Sequence, residues 1–401
     1  MFVGRDREIE RIDEILFQTK HGNPTHILII GERGIGKSSL LLVTNYFAKG
    51  EITFSKEQHN FLTVQISVNN KMNIIDFAKK LYNALERELK KQSKSYLFLK
   101  ETWNFIKRLE VAGTSIKNGH SEIDSTVDDF IYSISDTVKK IASGKSLVET
   151  GLKKEKDGIV ILIDEADSAS KDLNIGTFIK NLTEFLVLED NNKVLFALAG
   201  LPSLRDILRD SHESSLRLFE EFKLKPLSKS EVSQVIRKGI EEYNEKYPDD
   251  QLQIENGALN DIYLFSEGYP HFVQQIGYST LQVNDDNLIS KEDVEKGVMG
   301  KGGAIDLIGD RYYKDLFYDK INVDSYREIL IIMAQNWNQW IKKEEIKKNF
   351  KGKKSTLDNG LKALKDRNII LTKKGSRGYY RLQWASFAFW IKYYSQFRSN
   401  I

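Results

Sequence analysis

A glycine-rich stretch near the N-terminus has the residue types and spacing needed for phosphate chemistry. Residues 31–38 read Gly-Glu-Arg-Gly-Ile-Gly-Lys-Ser, which is Gly, four residues, Gly, Lys, and then Ser or Thr. The glycines let backbone N–H groups turn toward a phosphate, and the positive end of the following helix strengthens that attraction. We expect Lys37 to reach the β- and γ-phosphates, and Ser38 to bind Mg²⁺ through its hydroxyl. The pattern therefore predicts a site for a nucleoside triphosphate.

The whole loop and the first turn of the helix after it are expected to line this site. The predicted nucleotide contacts there are Gly31, Glu32, Arg33, Gly34, Ile35, Gly36, Lys37, Ser38 and Ser39. Lys37 is also a predicted catalytic residue, because its charge would stabilise the phosphoryl group during transfer.

A second group of candidate catalytic residues follows the apolar run at residues 159–163. A continuous apolar run is typical of a buried parallel strand, and Asp164, Glu165 and Asp167 come directly after it. We expect Asp164 to hold Mg²⁺ through water, and Glu165 to orient and deprotonate the attacking water. Acidic residues can also simply end a strand, but carboxylates at a buried strand end are costly without a metal or partner. Glu165 therefore predicts hydrolysis as well as binding.

The elements that must position these residues alternate between strand and helix. Apolar runs at 27–30, 61–68 and 193–199 predict strands, with helical segments between them. This order predicts an α/β fold, a P-loop NTPase core with a parallel sheet and helices on both faces. Residues 76–157 form a mostly helical insertion without a catalytic signature. Within it, Ser125 and Asp128 predict the start of a helix that runs through residue 142.

Composition excludes several other kinds of site. The 401-residue chain has no Cys, which excludes disulfides, thiolate metal sites and cysteine nucleophiles. Its six His lack metal-ligand spacing, so the metal we expect is the Mg²⁺ that accompanies the nucleotide. The absence of an Asn-Lys-x-Asp sequence for guanine favours ATP over GTP. Since no apolar run reaches spanning length and no signal peptide is evident, we expect a cytoplasmic protein that does not bind membranes.

Positive charge is concentrated near the C-terminus. Residues 342–381 contain fourteen Lys or Arg and four Asp or Glu, whereas the whole chain has a net charge of only +3. A basic block in an otherwise mildly acidic protein indicates a polyanionic partner, and double-stranded DNA is the partner we expect. A solvated, Lys-rich helical face would have the same composition, so both interpretations stay open.

The same region has the element order of a winged helix-turn-helix. Helical patterns at 326–335, 343–350 and 355–367 come before two strands, which are separated by a basic turn containing Gly. In such a fold the third helix enters the major groove and the turn, or wing, lies on the phosphate backbone. A module of this kind can instead bind a protein. The predicted DNA contacts are Lys353, Lys354, Ser355, Lys362, Lys373, Lys374 and Arg377.

These motifs resemble those of the AAA+ and STAND group of P-loop ATPases. Residues 2–8, which include Val3, Gly4 and Arg5, look like the box that packs against adenine in these families. Residues 268–272 are similar to the Gly-x-Pro element of STAND lids, which implies that Pro270 and His271 lie near the nucleotide. The resemblance covers residues 1–300.

The resemblance also implies an arginine finger. Residues 214–228 are similar to the segment that joins the ATPase core to its helical lid, and in the origin-recognition branch this segment commonly carries the finger. Arg217 is therefore the candidate that would act on a neighbouring subunit's γ-phosphate. An ion pair with Glu220 or Glu221 is its rival role, and Arg205 and Arg209 are weaker candidates.

The chain departs from the initiator pattern in two places. Pro270 and His271 follow the lid glycine where those proteins have an arginine, and Ala199 and Gly200 stand where a polar residue normally ends the strand. Both departures imply that hydrolysis is slow or depends on a partner.

The motifs together predict an ATPase core at 1–226, a helical lid at 227–300, a linker at 301–322 and a winged helix at 323–401. Our leading hypothesis is an ATP-hydrolysing switch that acts on DNA in replication, transposition or defence and forms homo-oligomers in its ATP state. The alternative is a signalling ATPase whose C-terminal module binds a protein partner and whose output is ATP-driven oligomerisation. A metabolite kinase is disfavoured because no segment suggests a small-substrate domain.

Overall fold

The computed structural model describes residues 3–54, 57–91, 97–106, 120–143, 150–336, 339–367, 369–373 and 375–393. Lys374, one of the predicted DNA contacts, lies outside these residues. The chain forms two compact units, an N-terminal unit at Arg5–Lys225 and a C-terminal unit at Pro226–Ile401 that also includes Met1–Gly4. No helix in the described ranges has both the length and the apolar character that crossing a bilayer requires.

A five-stranded parallel sheet forms the centre of the N-terminal unit, with the strand order β2-β3-β4-β1-β5. Strands β1, β3 and β4 are buried along almost their whole length, as their continuous apolar runs predict. The sheet confirms the predicted α/β fold. The strands are β1 (His26–Ile30), β2 (Leu62–Ser67), β3 (Ile159–Asp164), β4 (Val194–Gly200) and β5 (Phe219–Lys223).

Helices surround this sheet and include those of the 76–157 insertion. An aromatic cluster joins the insertion to the core, where Phe130 stacks on Phe178 at 4.7 Å and lies 5.6 Å from Trp103. The helices are α1 (Asp6–Lys20), α2 (Lys37–Lys49), α3 (Ile74–Lys90), α4 (Leu97–Thr102), α5 (His120–Ile141), α6 (Ile175–Leu188) and α7 (Leu204–Ser211). The predicted helix start at Ser125 is wrong, because Ser125 is an exposed residue inside α5, where a serine is tolerated.

The C-terminal unit begins with a group of helices at the predicted lid. Ser228 and Ser290 start two of them with capping boxes, each accepting a hydrogen bond from the backbone of the acidic residue three positions later. The helices are α8 (Lys229–Lys246), α9 (Asn256–Ser266), α10 (Pro270–Leu281) and α11 (Lys291–Met299). A short parallel pair, β6 (Gln253–Ile254) and β7 (Leu288–Ile289), joins their connections.

The predicted linker at 301–322 contains packed helix. Helix α12 (Ala304–Ile308) continues into π-helical turns at Gly309–Tyr313 and Leu316–Lys320. Tyr313 and Phe317 are fully buried, and both lie against the ring of Trp390. The segment therefore contributes to the core of the C-terminal unit, and the four-part domain division stays a prediction.

The last part of the chain, residues 324–393, is called the C-terminal module below. Its strands form an antiparallel sheet in the order β8-β10-β9. Helix α15 buries Leu357, Leu361 and Leu364, the three residues that the sequence pattern places on one face. In chain order the elements are α13 (Asp324–Ala334), β8 (Ile341–Lys342), α14 (Lys343–Asn349), α15 (Lys354–Asp366), β9 (Ile370–Thr372), β10 (Tyr379–Leu382) and α16 (Ala385–Tyr393).

Candidate nucleotide-binding site

The glycine-rich loop connects β1 to α2, which is the strand–loop–helix order that phosphate binding requires. Gly34 and Gly36 have φ angles of 76° and 97°, a left-handed conformation that glycine adopts without strain. The buried side chain of Ile35 fixes the loop to the core. The N–H of Gly31 donates to the carbonyl of Gly200 at 3.3 Å, so the loop begins against the end of β4.

The polar side chains at the start of α2 are available to a ligand. The Lys37 ammonium donates to the carbonyl of Glu32 at 2.9 Å, and Ser38 and Ser39 are exposed. Burial lowers the pKa of Lys37 below its ordinary value, while the charge of Asp167 opposes that shift more than any other carboxylate. Asp164 and Glu32 oppose the shift as well, and Arg33 adds to it.

The two predicted acidic residues lie at the end of β3. Asp164 is half-buried and accepts a hydrogen bond from the backbone N–H of Glu165 at 2.9 Å. Glu165 has a φ of 51°, which is uncommon for a residue with a side chain and is often found at functional sites. The turn leaves the Glu165 carboxylate exposed. Because β1 and β3 are parallel strands of one sheet, the glycine-rich loop and these carboxylates follow the same edge.

Asp164 and Ser38 suit Mg²⁺ by the chemistry of their donor atoms. Both offer oxygen, and Mg²⁺ in nucleotide sites takes one or two protein ligands and completes its shell with water and phosphate oxygens. Asp164 is half-buried and Ser38 exposed, so neither donor is sealed inside the core.

Asp167 belongs to the same turn, three residues after Asp164. Its carboxylate accepts a hydrogen bond from the backbone N–H of Leu201, 34 residues later, at 3.0 Å. Leu201 follows the last residue of β4, so Asp167 joins the ends of two neighbouring strands. This link depends on tertiary contact, and no local sequence signal could have revealed it.

Arg5 supports the loop from within the N-terminal unit. Its side chain is 7% exposed, and its guanidinium donates to the carbonyls of Lys225 at 2.6 Å and Ile35 at 3.4 Å. The chain passes from one unit to the other immediately before Arg5 and immediately after Lys225. Arg5 therefore links the phosphate-binding loop to Lys225, the last residue of the N-terminal unit. Its predicted contact with adenine stays a prediction.

The other predicted adenine-side residues belong to the C-terminal unit. A side chain at Gly4, which has a φ of 74°, would place its Cβ 2.8 Å from the Leu227 side chain. At Gly268 the Cβ would lie 2.0 Å from the Leu227 carbonyl, which only glycine allows. Gly4 and the turn before Pro270 thus share Leu227 as a neighbour within the C-terminal unit. Val3 is half-buried next to Gly4.

Pro270 and His271 form the first turn of α10. Proline suits this position because its missing N–H would have no helical partner there. His271 is half-buried with its ring 5.2 Å from that of Tyr312. Burial lowers the pKa of His271, and the charge of Arg311 lowers it further. The imidazole is therefore favoured in its neutral form, which donates and accepts hydrogen bonds.

The candidate arginine finger is exposed, and the rival ion pairs are not formed. Arg217 lies in a short 3₁₀ turn and makes no ion pair with any described residue. Glu220 is bound by Arg11 at 2.7 Å, and Glu221 by Arg205 at 3.3 Å. Both carboxylates that could have engaged Arg217 are thus held by other cations.

The weaker finger candidates are engaged within their own unit. Arg205 holds Glu221, and Arg209 pairs with Asp206 on the same helix. Each would lose a partner on turning toward another subunit, which makes Arg217 the better candidate.

The predicted DNA-contacting cations lie on the surface of the C-terminal module. Lys342 and Lys373 lie over the ring of Tyr379 at 5.6 and 5.4 Å, at the base of the turn between β9 and β10. By contrast, Lys343 pairs with Asp358 at 2.8 Å and Arg381 with Glu267 at 3.2 Å. The predicted contacts that are exposed are Lys353, Lys354, Ser355, Lys362, Lys373 and Arg377.

Comparisons with known proteins agree with this geometry. Residues 1–188 match the family model of the AAA ATPase domain. A Walker-type ATPase of Pyrococcus abyssi has a similar structure, with a TM-score of 0.57 and 16% identity, covering 98% of this chain and 96% of that chain. The Aeropyrum pernix ORC2 protein, in ADPNP–ADP complexes, gives a TM-score of 0.53 and 12% identity over 97% and 92% of the two chains.

A relative by sequence is an uncharacterised HTH-type transcriptional regulator of Methanocaldococcus jannaschii. It is 28% identical over 252 residues, which cover 60% of this chain and 54% of that protein. The chain thus spans about half the length of this relative. The family match covers the loop, the β3 carboxylates and the helices between them, and this part of the chain is therefore similar to the AAA ATPase domain.

Proposed function

We propose that this protein binds and hydrolyses ATP, and that its nucleotide state governs how the C-terminal module engages double-stranded DNA. The observation that supports the proposal most strongly is the arrangement of the sheet edge. The glycine-rich loop follows β1, the Asp164 and Glu165 carboxylates lie at the end of β3, and only β4 lies between these two strands. A phosphate-binding loop and an acidic pair at one edge are the parts that hydrolysis needs.

Each side chain at this edge has a distinct proposed role. The loop N–H groups and Lys37 bind and orient the phosphates, and Ser38 and Asp164 hold Mg²⁺. The metal, when bound, neutralises charge on the phosphate oxygens. Glu165 accepts a proton from the attacking water, which its exposed position at the strand end permits. The Aeropyrum pernix relative in ADPNP–ADP complexes supports ATP as the ligand.

We propose that Val3, Gly4, Pro270 and His271 contribute to the adenine side of the site. Leu227 is the common neighbour of Gly4 and of Gly268, the residue that starts the Gly-x-Pro element. A neutral imidazole at His271 can donate one hydrogen bond and accept another, as recognition of a base requires.

Arg217 is the proposed arginine finger in a homo-oligomer that forms in the ATP state. It is exposed, and the two nearby carboxylates are held by Arg11 and Arg205. An unpaired guanidinium needs no bond broken before it reaches a phosphate of another subunit, where it would stabilise transferred charge.

For the C-terminal module we propose a winged helix that contacts duplex DNA. Three helices and the β8-β10-β9 sheet have the required order, with α15 as the recognition helix and residues 373–378 as the wing. Lys353 and Lys354 start α15, and Lys373 and Arg377 lie in the wing, all exposed. The HTH-type regulator of Methanocaldococcus jannaschii supports DNA as the partner.

Two contacts inside the C-terminal unit link the lid motif to the module, and a third holds the module's Arg381 in place. Glu267, which precedes the lid glycine, pairs with Arg381 on β10. Tyr269 packs against Trp384 at 6.4 Å, and the Arg381 guanidinium lies 5.5 Å from the Trp340 ring. A lid movement that follows the nucleotide would therefore act directly on the strand that bears the wing.

The proposed DNA binding is tested by measuring the affinity of the protein for a DNA duplex at several salt concentrations. Replacing Lys373, Lys374 and Arg377 with Ala should weaken binding to all sequences alike, because phosphate contacts do not distinguish bases. The log–log salt slope should become shallower by roughly 0.9 for each phosphate that the variant no longer neutralises. A matched control replaces Lys296 and Lys301, which are exposed lysines outside the module.

An unchanged slope in the wing variant, or an equal change in the control, would move the DNA-binding surface away from the wing. Duplex binding that is absent or indifferent to salt would instead favour the signalling ATPase whose module binds a protein.

A further inference from the structure

The end of β4 lacks the polar side chain that would be expected beside a transferred phosphate. Ala199 and Gly200 end this strand, and both are buried. In the sheet β4 lies between β3, which bears Asp164, and β1, which leads into the glycine-rich loop. The end of β4, in the middle of the sheet edge at the nucleotide site, therefore contributes no polar side chain.

Asp167 reaches this position from the neighbouring turn. Its Oδ1 accepts a hydrogen bond from the Leu201 N–H at 3.0 Å. A Cβ atom on Gly200 would lie 2.7 Å from that oxygen and 3.1 Å from the backbone nitrogen of Asp167. Any larger residue at position 200 would displace the carboxylate, so glycine there leaves the space that Asp167 fills.

The link continues from Asp167 to the loop. The Gly200 carbonyl accepts the N–H of Gly31, the first loop residue, at 3.3 Å. Asp167 thus holds the end of β4 by a hydrogen bond, and the last residue of β4 in turn binds the first residue of the loop.

We propose that Asp167 is a positioning residue of the nucleotide site. Its carboxylate, which comes from the turn after β3, fills the space at the end of β4 where that strand has no polar side chain. It fixes the end of β4 against the loop through the Leu201 N–H and the Gly200 carbonyl. This inference rests on the proposed ATP hydrolysis. A side chain that only stabilises the fold would not affect turnover in the folded fraction.

The test compares Asp167→Ala with Asp167→Asn in the full chain. Alanine removes both the acceptor and the charge, whereas asparagine keeps an oxygen that can accept from Leu201. We expect Asp167→Ala to lower kcat roughly 10- to 100-fold, as misplaced catalytic groups do. KM for MgATP and Kd for MgADP should stay within about threefold, because the loop itself is intact. Asp167→Asn should recover part of the lost kcat.

Controls separate positioning from folding. Asp172→Ala removes an exposed carboxylate five residues away and should match the wild type. Titration with MgADP gives the fraction of active sites, so kcat is expressed per folded site. Hydrogen exchange at Leu201 should be faster in Asp167→Ala than in Asp167→Asn. If the Asp167 variants do not fold, Gly200→Ala displaces the same carboxylate without removing its charge and should lower kcat.

A wild-type kcat per site in Asp167→Ala would overturn the inference and leave the proposed function intact. Equal decreases in Asp167→Ala and Asp172→Ala would overturn it too, since the effect would then be one of general charge. If the wild type itself binds MgADP but shows no turnover, the proposed hydrolysis fails instead.

Discussion

Acid should weaken the N-terminal unit through His26, the first residue of β1. The ring is 2% exposed, and its Nδ1 accepts the Phe196 N–H at 3.3 Å. Nε2 must then carry the proton and donate to the Thr183 hydroxyl at 2.9 Å, and this hydroxyl donates to the Ile179 carbonyl. The bond from Phe196 requires a neutral imidazole, because a protonated Nδ1 cannot accept a hydrogen bond. Burial lowers the pKa of His26 from 6.5 to about 3.

The size of the effect follows from proton linkage. Because the folded pKa is lowered, the unfolded chain binds a proton at pH values where the folded one does not. The stabilisation is fully present above the unfolded pKa of 6.5 and is lost as the pH falls toward about 3. Relative to neutral pH, the loss amounts to about 2 kcal/mol at about pH 5 and about 3 kcal/mol at about pH 4.

Urea unfolding followed by circular dichroism, at about pH 8 and about pH 5, measures this loss. His26→Gln removes the titration, so its free energy of unfolding should fall with pH by about 2 kcal/mol less than that of the wild type. His21→Gln is the matched control, because His21 is exposed and should leave the wild-type pH dependence unchanged. If His26→Gln retains the full pH dependence, the acid sensitivity does not come from a neutral His26 buried in the folded protein.

Three further variants test the proposed site. Lys37→Ala should abolish MgADP binding in calorimetry, since the loop would lose the cation that meets the phosphates, and retained affinity would show that the loop does not bind them. Arg217→Ala should lower ATP turnover while leaving nucleotide binding intact. Arg205→Ala only removes the partner of Glu221 and should leave turnover unchanged. Equal effects of the two variants on turnover would argue against Arg217 as the arginine finger. Arg381→Ala should reduce the stimulation of turnover by duplex DNA, because it removes the ion pair with the lid, and undiminished stimulation would contradict that link.

The central sheet and the phosphate-binding loop could be predicted because their signals are local. Strands β1, β3 and β4 are buried on both faces, so each is a continuous apolar run. Strand β5 was not predicted. It lies at the sheet edge and reads Phe-Glu-Glu-Phe-Lys, and its Glu220 and Glu221 are held by arginines from other elements. Charged residues at an edge do not produce the apolar run that marks a central strand.

The supporting contacts of the site could not be predicted, for a different reason. Arg5 bonds to Lys225, 220 residues away, and Asp167 to Leu201. Both are hydrogen bonds between a side chain and a backbone group, and nearly any residue at the backbone position could provide that group. The pattern of residue types therefore contains no trace of them, and only the fold brings the partners together.

The most direct test of the account is steady-state ATP turnover, measured with and without duplex DNA and with Glu165→Gln as the blank. The wild type should hydrolyse ATP, duplex DNA should raise its turnover, and Glu165→Gln should bind nucleotide without turning it over. Wild-type turnover equal to that of Glu165→Gln, with DNA present or absent, would contradict ATP hydrolysis at this site.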